Sequence, residues 1–317
     1  MSSSYGKDLM ANKTDKIALF CKSYEKDMFR ARRLAESVQR FNVDKIPLYV
    51  SVPASELNMF KQCFDNIPCQ FIKDEEILDE SCRVHGPIPK RFPSELLQQL
   101  IKLEFWRMGL CKNYVWIDSD SYFIKTFRID DFFYDENTPY TLQHDSKDLF
   151  DFADRIKNKK IKNDFEKMAI HFQELFHRSG PLYNFGCSPL IWSCQVLDSL
   201  YKDYLKLNHV TIFDLLKEYN SEMQLYGEYL IFSKVIPIMP IGPLFKIYHY
   251  AEQFFEAQMK GESEFSLSSN YLGVVIQSNW ARLPEPKKPP LVRLKRFFSK
   301  MFGQINQIFR RVLKMFK

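Results

Sequence analysis

The sequence predicts an α/β fold on a mostly parallel sheet, and three observations lead to that expectation. Over the first 75 residues short apolar strands alternate with amphipathic helices, the signature of crossover units. A further helix-then-strand unit follows near residues 94–117. With 317 residues, 45% hydrophobic and 15% aromatic, the chain is long enough to fill a large core.

In order, "KIALFC" (16–21) reads as a buried strand, followed by the polar loop "KSYEKD" and a helix over 27–41. In that helix Ala31, Leu34, Ala35, Val38 and Phe41 recur at spacings of three and four, which makes one apolar stripe. "IPLYVSVP" is a second strand stopped at Pro53, residues 55–64 a second helix, and "CQFI" a third strand. Pro93-Ser94 opens a helix through "ELLQQLIKLEFWRM", with Ser94 suited to the N-cap and Gly109 to the stop. The strand "YVWI" comes next and runs into Asp118 and Asp120. Residues 145–178 read as helical and charged, and "GPLYNFGCSPLIWS" as strand-like. Residues 194–206 and 221–234 read as helices, and "KIYHYAEQ" and "YLGVVIQSNW" as late strands. "LPEPKKPP" is an extended, proline-rich break, and no internal repeat is found.

Charge is unevenly placed. Of 45 Lys and Arg, ten fall between Lys287 and Lys317, where there is no Asp or Glu, leaving 35 basic against 39 acidic residues elsewhere. The body is therefore mildly acidic and the end segment strongly basic, which points away from nucleic acid as a partner. Seven Cys with no CxxC pair read as reduced, mostly buried thiols of a cytosolic protein, so zinc and a disulfide framework are not expected. The opening "MSSSYGKDLMANKTDK" has no apolar core, so no signal peptide is expected. No run of about 20 apolar residues occurs to span a bilayer.

In an open α/β sheet ligands bind beyond the carboxyl ends of the strands. Asp118 and Asp120 stand at such an end, and two carboxylates that close repel unless a positive charge lies between them. A divalent cation with oxygen ligands, Mn²⁺ or Mg²⁺, answers that need and also holds a diphosphate. Capping of a turn and a neighbouring helix is the plain alternative. Taken in order, "SY" with Asp27 and Arg30 after the first strand, "QQLIKL" before the D-S-D strand, and "YGEY" near the end resemble the GT-A glycosyltransferases. The likeness is greatest to bacterial surface-polysaccharide enzymes and covers roughly residues 16–280.

The resemblance implies a single Rossmann-like GT-A domain over residues 16–284, with a mixed central sheet. It also implies a nucleotide-sugar donor, UDP-linked by preference, and a saccharide or lipid-linked glycan acceptor in lipopolysaccharide, O-antigen or capsule assembly. Asp118 and Asp120 match the metal and diphosphate motif, and His249 is the histidine best placed to complete the metal shell. The loop Lys22-Ser23-Tyr24 matches the place that receives base and ribose, with Asp27 and Arg30 beside it at the start of the following helix. Gln99 and Lys102, three apart on one helix face, could reach the donor or form an exposed polar face. Asn184 and Gly186 fall on the acceptor side. Glu228 and Glu222 are the candidate bases, with Glu228 preferred beside Gly227, which could mark a helix break. A haloacid-dehalogenase-type phosphatase using the same D-x-D is the rival enzyme, and a membrane-associated scaffold the rival without catalysis.

From Leu291 the apolar residues fall at 291, 294, 298, 301, 305, 308, 312 and 316, a continuous helical stripe amid basic residues. Such a helix suits the surface of an anionic membrane. The expected organisation is thus a disordered stretch at 1–15, the domain, a linker at 285–290 and an amphipathic helix at 291–317. This places a cytoplasmic enzyme peripherally at the inner face of the plasma membrane.

Overall fold

In a strand successive side chains point to opposite faces, and a strand buried on both faces must be apolar at every position. The strand Ala18–Lys22 meets that demand with Ala18 and Phe20 in one core and Leu19 and Cys21 in another. The computed structural model describes residues 15–186 and 189–277. The expectations for residues before 15, the 285–290 linker and the 291–317 helix lie outside them.

The chain begins β1 (Ala18–Lys22), α1 (Met28–Phe41), β2 (Leu48–Val52), α2 (Leu57–Cys63), β3 (Gln70–Lys73) and α3 (Asp74–His85). It continues α4 (Ser94–Glu104), β4 (Asn113–Trp116), β5 (Ser121–Phe123), β6 (Thr141–Leu142), α5 (Lys147–Arg155) and α6 (Lys159–Leu175). Next come β7 (Leu190–Ser193), α7 (Cys194–Ser199), α8 (Ile212–Glu218) and α9 (Glu222–Ser233). The last elements are β8 (Pro240–Ile241), β9 (Phe245–Tyr248), α10 (Ala251–Met259), α11 (Glu264–Leu267) and β10 (Gly273–Ile276).

The central sheet has the order β3-β2-β1-β4-β7. Its first four strands are parallel and β7 is antiparallel to β4, so the expected α/β, Rossmann-like architecture with a mixed sheet is present. Phe20, Tyr114, Trp116 and Trp192 pack on one face against α4, α8 and α9. Leu19, Val50, Val115 and Ile117 pack on the other against α1, α2 and a second sheet of order β5-β10-β9. β1 leads to β2 and β3 on one side, while β4 lies on its other side. The strand order reverses between β1 and β4, and in open α/β sheets ligands lie beyond the carboxyl ends of the strands at such a switch point. No helix among the described residues is long and apolar enough to cross a membrane.

Several expectations shift in detail. Ser94 is the first helical residue and not the N-cap; Pro93 holds the cap position, and the Ser94 hydroxyl turns to Glu95. Gly109 does end that stretch, at φ +65°, after a 3₁₀ turn over Phe105–Met108. The helix expected over 194–206 changes to π geometry at Leu200–Leu205. Helices α3, α8, α10 and α11 were not anticipated, and in "KIYHYAEQ" the strand ends at Tyr248 with α10 starting at Ala251.

Gly227 breaks nothing. It lies inside the continuous helix α9, and a Cβ there would sit 2.0 Å from Cγ of Phe185. The missing side chain admits the Phe185 ring, so Gly227→Ala is expected to destabilise by about 1–3 kcal/mol through overpacking. Urea unfolding checks this, and adding Phe185→Leu should recover much of the loss.

Candidate active site

β4 ends at Trp116, and the N–H of Ile117 still donates to the Phe20 carbonyl of β1 at 2.8 Å. The chain then turns, with the Ser121 N–H donating to the Asp118 carbonyl at 3.0 Å. Ser119 and Asp120 form the buried centre of this turn, where a small residue fits. The Ile276 N–H at the end of β10 donates to the Asp120 carbonyl at 3.0 Å, so both sheets hold the turn.

The two carboxylates meet different surroundings. Asp118 lies on the α4 and α9 face, where Lys102 Nζ approaches its Oδ1 at 2.9 Å. The same ammonium is 3.2 Å from Glu222 Oε1 and 3.9 Å above the Trp116 ring. The Lys102 side chain is 10% exposed and Asp118 41%, so the cation is enclosed while the carboxylate faces outward. Burial works against the Lys102 charge, but Asp118 and then Glu222 outweigh it and raise its pKa. The charge of Asp120 acts on Arg33 of α1, whose guanidinium covers the Tyr122 ring at 4.2 Å. Burial nevertheless lowers the Arg33 pKa overall.

Gln99 and Lys102 do not form an exposed polar face. Gln99 Nε2 donates to Asn220 Oδ1 at 2.8 Å, so both residues join α4 to the start of α9. There Ser221 is the N-cap, its hydroxyl accepting the Gln224 N–H, and Glu222 opens the helix. A carboxylate in a first helical turn is favoured by the helix dipole.

Beyond β1, Ser23 is buried and its Oγ has no hydrogen-bond partner among the described residues. Burial and then the nearby Asp27 raise the Tyr24 pKa, while Asp27 also pairs with Arg30 at 2.6 Å. Next to them Lys22 belongs to a cluster whose other members, Ser51 and Asp74, the sequence did not single out. Lys22 Nζ lies 2.8 Å from Asp74 Oδ2, and the Ser51 hydroxyl donates to the same carboxylate. Lys22 ends β1, Ser51 lies next to the end of β2 and Asp74 opens α3 directly after β3, so only the fold brings them together.

Asn184 and Gly186 belong to a second group. Asn184 bridges to His144 through both backbone N–H groups, at 2.9 and 3.0 Å. The Gly186 N–H donates to Asn184 Oδ1 at 2.7 Å, and His144 Nε2 donates to the Gly186 carbonyl at 3.1 Å. His144 Nδ1 accepts the Ser146 N–H at 3.1 Å. The ring is therefore neutral, in keeping with a pKa lowered chiefly by burial. His144 and His249 line one cavity of about 160 Å³ with Ser146, Lys246 and Tyr271. Burial first, then His144, lowers the His249 pKa to about 4. No sequence signal singled out His144. Gly186 connects the two groups, since a Cβ on it would lie 3.3 Å from Met223, the neighbour of Glu222.

Among the described residues no set of three or more His, Cys, Asp or Glu side chains is placed to hold a metal. The structure thus does not gather His249 with Asp118 and Asp120.

Residues 16–233 match the model of a family described as "Family of unknown function (DUF6492)", and the chain belongs to that family. No curated protein matches. Among solved structures the chain is similar to mouse xyloside xylosyltransferase 1 in its apo form, at 11% identity and a TM-score of 0.45. That match spans 85% of this chain and all of the other.

Glu228 is remote from the carboxylate turn in its contacts. Its side chain is 0% exposed, and its two oxygens accept from Nε and Nη2 of Arg178, the latter at 2.7 Å. Arg178 in turn donates to the Pro181 carbonyl at 2.9 Å, which fixes the start of the segment bearing Asn184 and Gly186. Removing one partner of such a buried pair strands the other, so Glu228→Ala is expected to cost about 3–5 kcal/mol in urea unfolding.

Proposed function

We propose that the chain is a metal-dependent glycosyltransferase that moves a sugar from a nucleotide-sugar donor, UDP-linked by preference, to a saccharide acceptor. The observation that carries this reading is the Asp118–Ser121 turn at the carboxyl edge of the sheet, where the strand order reverses between β1 and β4. Ser23, Tyr24 and Arg30, at the end of β1 and start of α1, are assigned to the base and ribose. Asp118 and Asp120 are assigned to the metal and diphosphate, with Gln99 and Lys102 on the donor side.

Mn²⁺ or Mg²⁺ fits this donor set. Mg²⁺ is commonly held by one or two carboxylates together with substrate phosphates, without a closed protein cage, and Asp118 offers such a carboxylate facing outward. When bound, the cation supplies charge stabilisation for the departing diphosphate.

Of the two glutamates, Glu222 adjoins the Asp118 cluster through Lys102, whereas Glu228 is enclosed with Arg178. Glu222 is accordingly assigned to accept the acceptor hydroxyl's proton in an inverting transfer. Asn184 and Gly186, the latter packed close to the Met223 side chain of α9, are assigned to the acceptor side, and His249 to the adjoining cavity.

Calorimetry with a panel of nucleotide sugars tests the reading. A UDP-sugar is expected to bind at least about tenfold tighter with Mn²⁺, and Asp118→Ala and Asp120→Ala to lose that gain. Absence of any metal-dependent nucleotide binding removes the proposal.

The surface-polysaccharide role, with a lipid-linked acceptor at the inner membrane face, is proposed from the basic amphipathic pattern of residues 291–317. Truncation after Pro290 is expected to abolish sedimentation with anionic liposomes and to preserve transfer to a soluble acceptor. Retained liposome binding rules the tail out as the anchor.

A further inference from the structure

We infer that Lys102 is the resident cation of the carboxylate turn, competing with a divalent metal for Asp118, and that Glu222 sets the strength of that competition. The inference rests on the metal-dependent reading above and extends it to the control of metal affinity.

Lys102 is held from several directions. Its ammonium is 2.9 Å from Asp118, 3.2 Å from Glu222 and 3.9 Å above the Trp116 ring. Its backbone carbonyl accepts the Tyr114 hydroxyl at 2.7 Å, which ties α4 to β4. The Gln99–Asn220 bond fixes the start of α9, and with it Glu222. With its side chain 10% exposed, Lys102 cannot swing freely into solvent. A metal arriving at the exposed side of Asp118 therefore meets a fixed positive charge.

Asp118, Asp120 and Glu222 carry three negative charges and Lys102 one positive charge. Arg33, on which Asp120 acts, adds a second positive charge to this set. Removing the ammonium deepens the negative potential at Asp118. Removing the Glu222 charge instead leaves Lys102 to lean wholly on Asp118. The two changes should move metal affinity in opposite directions, whereas a purely structural role for Lys102 predicts loss in both.

The test is Mn²⁺ binding to the full chain without nucleotide, followed by electron paramagnetic resonance of the free ion, with circular dichroism as the check on folding. Lys102→Met is expected to bind Mn²⁺ about tenfold tighter and Glu222→Gln about tenfold weaker, the order expected for unit charges a few ångströms apart. Lys102→Arg, which keeps the charge, should stay near the parent. Lys102→Met binding no tighter, or failure of every variant to bind Mn²⁺, overturns the inference. If Lys102→Met does not fold, Glu222→Gln decides: weaker binding with Lys102→Arg unchanged supports competition, and unchanged or tighter binding overturns it. The two readings fail separately. Tighter Mn²⁺ binding by Lys102→Met without any nucleotide-sugar binding removes the transferase reading alone. Metal-dependent nucleotide binding with no gain in Lys102→Met removes this inference alone.

Discussion

The contact between the buried Lys102 ammonium and the Asp118 and Glu222 carboxylates joins three elements that the backbone ladder leaves separate. α4 supplies the cation, the turn after β4 one anion, and the first turn of α9 the other. Desolvating such charges is costly unless geometry and neighbouring groups compensate. Here Trp116 contributes its ring face and Tyr114 fixes the lysine backbone. Two carboxylates at the end of an apolar strand become tolerable because one has a partner already in place.

The rest of the candidate site depends on how the sheet divides its two faces. Trp116 and Ile117 belong to opposite cores, and the aspartates that follow inherit that division. Asp118 meets helices on one side, while Asp120 is tied by its carbonyl to β10 and acts on Arg33 of α1. The Arg178–Glu228 pair serves the same region more indirectly. It secures the approach to residues 184–186, whose Phe185 ring enters the gap at Gly227.

Much of this fold was legible in the sequence because local signals and tertiary demands agree. Strands β1 to β4 and helices α1, α4 and α9 follow from apolar runs, stripes and stop residues. Asp118 and Asp120 stood out because charge at the end of a buried strand is unusual. What sequence could not reveal was pairing across long separations. Lys102, Glu222 and Glu228 were picked out singly, but their pairings, and that of Lys22 with Asp74, depend on segments that only the fold aligns. Gly227 was misread for the same reason: glycine spacing suggests a break, while the cause is a ring arriving from residue 185. His144 gave no local pattern, since its partners are backbone groups of residues 146 and 186.

The bond between Lys102 and Glu222 spans 120 residues of sequence. A ribosome adding 5–20 residues per second needs roughly 6–24 s to cover that distance. Within that interval β4 and then β7 are completed, yet the glutamate that completes this charge cluster has not been made. The emerging half-protein therefore has its sheet before its site. A chain interrupted before α9 would carry the aspartates and the lysine but not their third partner, so this charge cluster records that synthesis has passed residue 222.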